Sequence, residues 1–217
     1  MKKIRSTRRR FVPRRTFTLI ELMAVIGIML LLLGIAVAPF GKMLGGTGVP
    51  AGARMVSAQL RLARQYALSQ RETVAVVMPR YAGPAEYRCR AFRTCEVDSG
   101  GTFVSWIPET RWEFLPDSVV IFEADNDYGD DESSPLDDEG TYDTVDDVEV
   151  DGNTYELRAV IFEPNGRLSG GLRRYVTLFE GTYDNGALVA RNQRNIKAME
   201  IDSYTGRVTY VDPLSAP

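Results

Sequence analysis

The chain contains no histidine among its 217 residues, and it has two cysteines. Histidine is the most common general base in enzymes and the most common protein ligand of transition metals. Nucleophile pairs of serine or cysteine with histidine therefore cannot be built from this chain. Two thiols without histidine also make a poor zinc site. We expect a protein that is not an enzyme and that has no catalytic residues, no metal site and no bound cofactor.

Three stretches of the chain lack charged side chains of one sign or of both signs. The first sixteen residues contain eight lysines and arginines and no acid, and no charged side chain occurs from Leu22 to Phe40. No lysine or arginine occurs between Glu123 and Asp151, where 14 of the 29 acids lie. Removal of residues 1–16 would change the formal net charge from −3 to −11, since 18 basic side chains would remain against 29 acidic ones.

Residues 17–40 form an apolar segment that is long enough to cross a membrane. As a helix it would span about 36 Å, compared with about 30 Å for the hydrocarbon core of a bilayer. The basic residues 1–16 are expected to stay in the cytoplasm, which sends the rest of the chain outward. A cleaved secretory signal peptide and an uncleaved signal anchor are alternatives. Pro39 is predicted to kink or end the helix.

One carboxylate, Glu21, lies just inside the apolar segment. A charge costs about 2.5–3.5 kcal/mol or more at the centre of a bilayer, so its position needs a reason. Thr18 and Glu21 have the spacing of a capping box, and a negative charge in the first turn complements the helix dipole.

The remainder of the chain reads as helix followed by strands. Residues 41–50 are rich in glycine and proline and predict a weakly helical or extended connection. Residues 51–71 predict a helix with Val56, Leu60, Ala63 and Ala67 on its buried face and with Arg54, Arg61, Arg64 and Arg71 on a basic face. Residues 74–78 predict a buried strand, and later strands are separated by turns at 164–166, 185–186 and 205–206.

The run RRTFTLIELM at residues 14–23 resembles the processing site of type IV prepilins and type II secretion pseudopilins. The resemblance implies that a prepilin peptidase and methyltransferase cuts between Thr16 and Phe17 and then N-methylates Phe17. It also implies that Glu21 pairs with the Phe17 amine of a neighbouring subunit and helps to set filament register. The family usually has glycine before the cut, where this chain has Thr16.

Four later segments resemble the H-type (GspH/FimT) pseudopilin domain, namely residues 60–71, 115–122, 160–167 and 201–208. The resemblance implies a pilin-like α+β fold, in which a long N-terminal transmembrane helix continues into a helix packed on an antiparallel β-sheet. The expected domains are a leader (1–16), a transmembrane and assembly helix (17–40), a connection (41–50) and a periplasmic domain (51–217) with an acidic insertion (123–151).

The resemblance further implies a minor pseudopilin, held in the bacterial inner membrane by one span and incorporated into a periplasmic pseudopilus that supports protein secretion. Its partners would be other pseudopilins or pilins, the prepilin peptidase and the inner-membrane assembly platform. One alternative is a FimT-like minor subunit of a type IV pilus, involved in pilus assembly or DNA uptake. Another is a membrane-tethered periplasmic domain unrelated to filaments.

Three features of the domain leave alternatives open. Outside the cytoplasmic membrane Cys89 and Cys95 would form a local disulfide, and two free thiols are the alternative. The acidic insertion has the composition of a disordered or solvated loop, and calcium binding is the alternative. Nucleic acid is not the expected partner, because the basic residues of the C-terminal third are scattered in an acidic chain. These residues are Arg167, Arg173, Arg174, Arg191, Arg194 and Lys197.

Overall fold

The apolar segment forms helix α1, Leu19–Leu44, in a computed structural model that describes residues 18–44, 48–122, 142–184 and 187–211. The helix continues through Pro39 and ends four residues beyond the predicted limit at residue 40. Proline removes one hydrogen bond from the ladder, and the flanking turns keep theirs. Residues 1–44 form one unit of the chain and residues 45–217 form the other.

Helix α2, Gly48–Gln70, begins the second unit and confirms the predicted amphipathic helix. It starts within the predicted connection because Pro50 lies in its first turn, where the missing N–H has no intrahelical acceptor to lose. Arg71 ends the helix in the left-handed conformation at φ 61°, and its N–H donates to the Ala67 carbonyl oxygen at 2.9 Å. The four residues predicted for the buried face are fully buried.

Ten strands follow the helix in the part of the chain that the structure describes. They are β1 (Thr73–Met78), β2 (Ala91–Val97), β3 (Phe103–Trp106), β4 (Glu113–Phe114), β5 (Val119–Ile121), β6 (Asp143–Val150), β7 (Asn153–Phe162), β8 (Arg174–Asp184), β9 (Ala187–Ile201) and β10 (Val208–Val211), with a short 3-10 helix at Ser169–Gly171. The neighbouring strands pair antiparallel in two sheets, which confirms the predicted α+β class. The predicted strand 74–78 is β1.

The first sheet has the strand order β3-β2-β1-β7-β6, with β4 paired to β2. It curls until its two outer strands meet, because Thr102 and Asp146 form a β-bridge and the Asp146 N–H donates to the Gly101 carbonyl oxygen at 3.2 Å. The second sheet has the order β10-β9-β8-β5. Asp184 pairs with Ala187 across the predicted turn at 185–186, whose own residues lie outside the described part of the chain.

The main hydrophobic core lies where α2 packs against both sheets. It contains Leu60 from the helix, Val76 and Phe162 from the first sheet, and Leu178 and Met199 from the second. A separate cluster fills the inside of the curled first sheet. A smaller one, with Val120 and Phe179, lies on the far face of the second sheet. The residues of all three clusters belong to the second unit.

The predicted turns at 164–166 and 205–206 lie against the C-terminal half of α2. Gly166 and Gly206 have φ values of 78° and 60°, which glycine adopts without steric cost. An added Cβ on Gly206 would overlap the Gly166 carbonyl oxygen and lie 2.8 Å from the Arg64 side chain, whose Nε donates to that same oxygen at 3.2 Å. Glycine is therefore required at 206 both for its φ and for its small size.

The disordered or solvated loop predicted for the acidic insertion (123–151) is wrong for the second half of that segment. Residues 123–141 lie outside the described part of the chain, but Asp143–Val150 forms β6 and pairs with β7. Val145, Val148 and Val150 are buried, and the acids between them point outward. A two-residue turn follows at Asp151 and Gly152, whose φ values of 52° and 79° suit a tight hairpin. Burial of the valines therefore makes this segment a strand despite its high negative charge.

Two adjacent arginines at the start of β8 have opposite environments. The Arg174 side chain is 5% exposed and forms an ion pair with Asp143, from Nη2 to Oδ1, at 2.6 Å. A second contact joins its Nε to the Asp143 Oδ2 at 3.4 Å. The Arg173 side chain is 60% exposed, and its Nη1 lies 3.3 Å from the Glu200 Oε1. Arg174 thus joins the second sheet to the edge strand β6 of the first.

We predict that Arg174→Ala lowers the free energy of unfolding by about 3–5 kcal/mol, because it leaves a largely buried carboxylate without its partner. Arg173→Ala is the matched control and should cost less than about 1 kcal/mol, since its ion pair is exposed to water. Urea denaturation of the full chain in detergent, followed by tryptophan fluorescence, measures both values. Equal losses of unfolding free energy in the two variants would show that the ion pair between the sheets contributes no more to stability than the exposed one.

Candidate assembly site and surface groups

The start of α1 has the geometry of a capped helix. The Thr18 Oγ1 accepts a hydrogen bond from the Glu21 N–H at 3.3 Å, and the Thr18 carbonyl oxygen accepts one from the Leu22 N–H at 3.2 Å. This is the threonine half of the predicted capping box. Glu21 lies in the first turn with its side chain exposed, where it complements the positive end of the helix dipole.

The predicted cleavage site lies outside the described residues. Thr16 and Phe17 precede Thr18, the first residue that the structure describes. The cut between them, the N-methylation of Phe17 and the pairing of its amine with Glu21 therefore stay predictions. Glu21 itself is exposed in the first turn of α1, four positions after Phe17 in the sequence.

The described side chains of α1 carry an uncovered apolar surface. Every residue from Leu19 to Leu32 is exposed, and Glu21 is the one charged residue among them. Leu19 and Ile20 are each 77% exposed, and Met29 is 65% exposed. A helix that is apolar on all its faces is stable when another apolar phase or protein surface covers it. This surface therefore requires a covering partner.

Over the part of the chain that the structure describes, no helix meets the combined criteria of length and apolarity for crossing a membrane.

Cys89 and Cys95 are both buried, and the structure does not bring them together. Cys95 lies inside the curled first sheet, whereas Cys89 packs with Val120 and Phe179. The extended strand from Ala91 to Cys95 covers about 13 Å, and a disulfide needs Cα atoms within about 7 Å. Burial raises the pKa of the Cys95 thiol to about 12. The predicted disulfide is therefore absent from this structure.

No metal site forms at the described acids. Residues 123–141, which carry most of the predicted calcium ligands, lie outside the described part of the chain. Among the residues that are described, no group of three or more acidic or cysteine side chains could hold an ion. The acids of β6 are spread along one exposed strand face rather than gathered around a point.

The basic residues weighed for nucleic acid do not share one surface. Arg174 is buried in its ion pair, and Arg173 contacts Glu200. The Arg167 guanidinium lies 5.7 Å from the centre of the Tyr204 ring, at the turn beside α2. Arg191 lies elsewhere, on β9, where its Nη1 donates to the Ser118 Oγ at 3.3 Å. These basic residues are thus scattered over the folded domain as well as along the sequence.

Two arginines outside that set, Arg88 and Arg90, lie with Arg191 along one groove. Arg90 and Arg191 line a cavity of about 400 Å³. Arg88 and Arg90 line a second cavity of about 420 Å³, which shares Val120 and Thr182 with the first. In the sequence, the alternation Arg88-Cys89-Arg90 before β2 was the signal that could have placed these two arginines on one face. Its convergence with Arg191 depends on the pairing of β5 with β8 and of β8 with β9.

An aromatic cluster packs against the core inside the first sheet and reaches this groove at Phe114. The Tyr87 ring stacks on Trp112 with a centroid distance of 4.7 Å and on Phe114 at 5.7 Å. Burial, and then the nearby Asp151 carboxylate, raise the pKa of Tyr87. The Arg93 guanidinium lies 4.1 Å from the centre of the Trp106 ring, and burial lowers the pKa of Arg93. These contacts hold the ring of Phe114 in place at the edge of the groove.

We predict that neither cysteine of the native chain reacts with an aromatic disulfide reagent, and that both react after unfolding without reductant. Raising the pH from 7 to 10 should leave the labelling rate of Cys95 low, because its pKa is about 12 in the folded chain. A short peptide with an ordinary cysteine is the control, and its rate should rise with its thiolate fraction over that range. An unfolded, unreduced chain that still resists labelling would establish the disulfide instead.

Comparison with known proteins gives a structural similarity alone. No protein-family model matches the chain, and no curated protein matches it. Two crystal structures of the type IV minor pilin FimU of Pseudomonas aeruginosa (strain PAO1), in space groups P21 and P65, are similar to it. Each has 14% sequence identity and a TM-score of 0.44 over 78% of this chain, and the match covers 92% and 97% of the two FimU chains.

Proposed function

We propose that this chain is a pilin-like filament subunit, and more narrowly a minor pseudopilin of a type II secretion system. In this proposal residues 1–16 are a leader that a prepilin peptidase removes, and residues 17–40 anchor the chain in the bacterial inner membrane. The second unit lies in the periplasm. The chain is a structural subunit rather than an enzyme. Its partners are the inner-membrane assembly platform and the neighbouring subunits.

The observation that carries the proposal is the junction at residues 14–23. A basic stretch ends at Arg15, an aromatic residue follows Thr16, and a capped apolar helix begins at Leu19. A lipid phase before assembly, and the apolar helices of neighbouring subunits after it, would each cover the exposed surface of α1. A secretory signal peptide would account for the apolar run but not for Phe17 and Glu21 together.

Glu21 supports an assembly role through its position. In a packed bundle of apolar helices an unpaired carboxylate is costly, so a charge of opposite sign is expected beside it. The amine created at Phe17 is such a charge, and a pair at 4 Å contributes about 4 kcal/mol at an effective dielectric constant of 20. Because Glu21 of one chain would seek the amine of its neighbour, the pair would fix the axial offset between subunits.

The mass of the N-terminal peptide of the native protein tests the proposal directly. We expect a chain that begins at Phe17 and carries one additional methyl group on its amine. Thr16→Gly restores the residue that the family usually has before the cut, and it should be processed at least as completely. Native protein that retains residues 1–16, with an unmodified Phe17, would reduce the proposal to an uncleaved membrane-tethered domain.

We predict that Glu21→Ala leaves the chain in the membrane fraction but lowers its incorporation into filaments by about tenfold or more, since 1.4 kcal/mol already corresponds to tenfold. Glu21→Gln is the sharper variant, because glutamine keeps the capping box and removes the charge. It should assemble as poorly as Glu21→Ala. Sheared filament fractions and carbonate-washed membranes give the two readouts.

Normal assembly of Glu21→Gln would show that capping alone explains the glutamate. Glu156→Ala is the control, since this residue is exposed on β7 in the second unit, and its incorporation should be unchanged.

A further inference from the structure

The groove beside β5 is built by three segments that are distant in the sequence. The stretch before β2 supplies Arg88 and Arg90, the connection around β4 supplies Phe114 and Ser118, and β9 supplies Arg191. Two adjoining cavities of about 400 and 420 Å³ make up its length. The whole groove lies in the second unit, so any role that it has is independent of the N-terminal helix and of the function proposed above.

Three guanidinium groups of this groove have unused hydrogen-bond capacity. The Arg88 Nε donates to the Gly83 carbonyl oxygen at 3.0 Å, and the Arg191 Nη1 donates to the Ser118 Oγ at 3.3 Å. The Arg90 guanidinium lies 5.3 Å from the centre of the Phe114 ring. Each guanidinium has five N–H donors. Within the described residues, no carboxylate forms an ion pair with any of the three.

The groove has an apolar floor and a firm shape. Leu115, Val119 and Val120 line it and are 2–7% exposed, and Phe114 is 37% exposed at its edge. Ser118 has a φ of 63°, which costs about 1–2 kcal/mol for a residue with a side chain. The Gly181 N–H holds it there by donating to the Ser118 carbonyl oxygen at 2.8 Å. The Ser118 hydroxyl is thereby fixed beside Arg191.

The charges of the groove select among anionic ligands. Three arginines line it together with two exposed acids, Glu86 and Asp117. A nucleic acid carries a negative charge on every nucleotide, so its backbone would meet those acids wherever it follows the groove. A polypeptide can place carboxylates at the arginines and apolar or neutral groups between them. Arginine forks recognise carboxylates in two-point contacts, and apolar side chains fill the floor.

We propose that this groove binds an extended acidic peptide segment of a partner protein. Arg90 and Arg191 pair with two of its carboxylates, Arg88 pairs with a third, and an apolar side chain packs on Phe114 and the floor. Arg90 and Arg191 carry the recognition, because both line the same cavity from opposite elements of the fold.

Fluorescence polarisation of the full chain in detergent micelles tests the site. The probe is a short fluorescein-labelled peptide of alternating glutamate and leucine. We expect saturable binding that weakens as salt is raised. Arg90→Ala and Arg191→Ala should each raise the Kd by about tenfold, as expected for loss of a hydrogen-bonded charge pair. Arg90→Lys should recover part of the affinity, because it keeps the charge without the two-point geometry.

Arg194→Ala is the matched control, because Arg194 lies on the same strand as Arg191 but does not line either cavity. Its Kd should equal that of the unaltered chain, and thermal unfolding should confirm that all variants are folded. Equal binding of a peptide with glutamine in place of glutamate would overturn the proposal. So would an unchanged Kd in Arg90→Ala and Arg191→Ala, no binding of the probe at all, or tighter binding of a single-stranded oligothymidine.

Discussion

The burial of one face of helix α2 between two antiparallel sheets is the interaction on which the second unit depends. Small residues such as Ala53, Ala63 and Ala67 let both sheets approach the helix closely. An ideal Cβ added to Gly52 would lie 3.4 Å from the side chains of Val119 and Leu178, so the helix already touches the second sheet there. Burial of each large side chain contributes about 1.5–3 kcal/mol, which makes this face the main source of stability.

Directional polar contacts fix how α2 sits between the sheets. The Gln59 Nε2 donates to the Thr94 Oγ1 at 2.6 Å on one side, and Ser57 and Tyr210 share a hydrogen bond of 2.9 Å on the other. Apolar packing alone would tolerate a small rotation of the helix, whereas these contacts would lose their geometry. Polar groups thus specify the arrangement, and apolar burial stabilises it.

Local patterns in the sequence predicted the elements whose burial is regular. Helix α2 buries one face, so its apolar residues recur with a 3.6-residue period. Strand β1 is buried along nearly its whole length, so it is a continuous apolar run. Strand β6 was missed because its buried valines stand at 145, 148 and 150, and a bulge between Val145 and Val148 breaks the alternation. The turn of Asp151 and Gly152 was the signal that would have indicated the hairpin. Dense negative charge was a weaker indicator than this turn.

Long-range placement could not be read from the sequence. Arg173 and Arg174 are identical neighbours, and only the register of β8 decides that one faces solvent and the other an ion pair. Arg90 and Arg191 meet because β5 pairs with β8 and β8 with β9, which is a property of the topology. The same limit explains the cysteines: they are six positions apart, but the strand between them is extended. Contacts set by chain topology thus lay beyond local pattern, whereas the processing site at residues 14–23 stays a prediction from residue chemistry.

The closure of the first sheet has a consequence for crowding. A free strand border offers a row of unpaired N–H and C=O groups to any other chain. Here the bridge between Thr102 and Asp146 seals part of both borders, and the bulge and outward acids of β6 make the rest unattractive as a template. The first sheet therefore offers little free border at which the backbone of a second copy could add a strand.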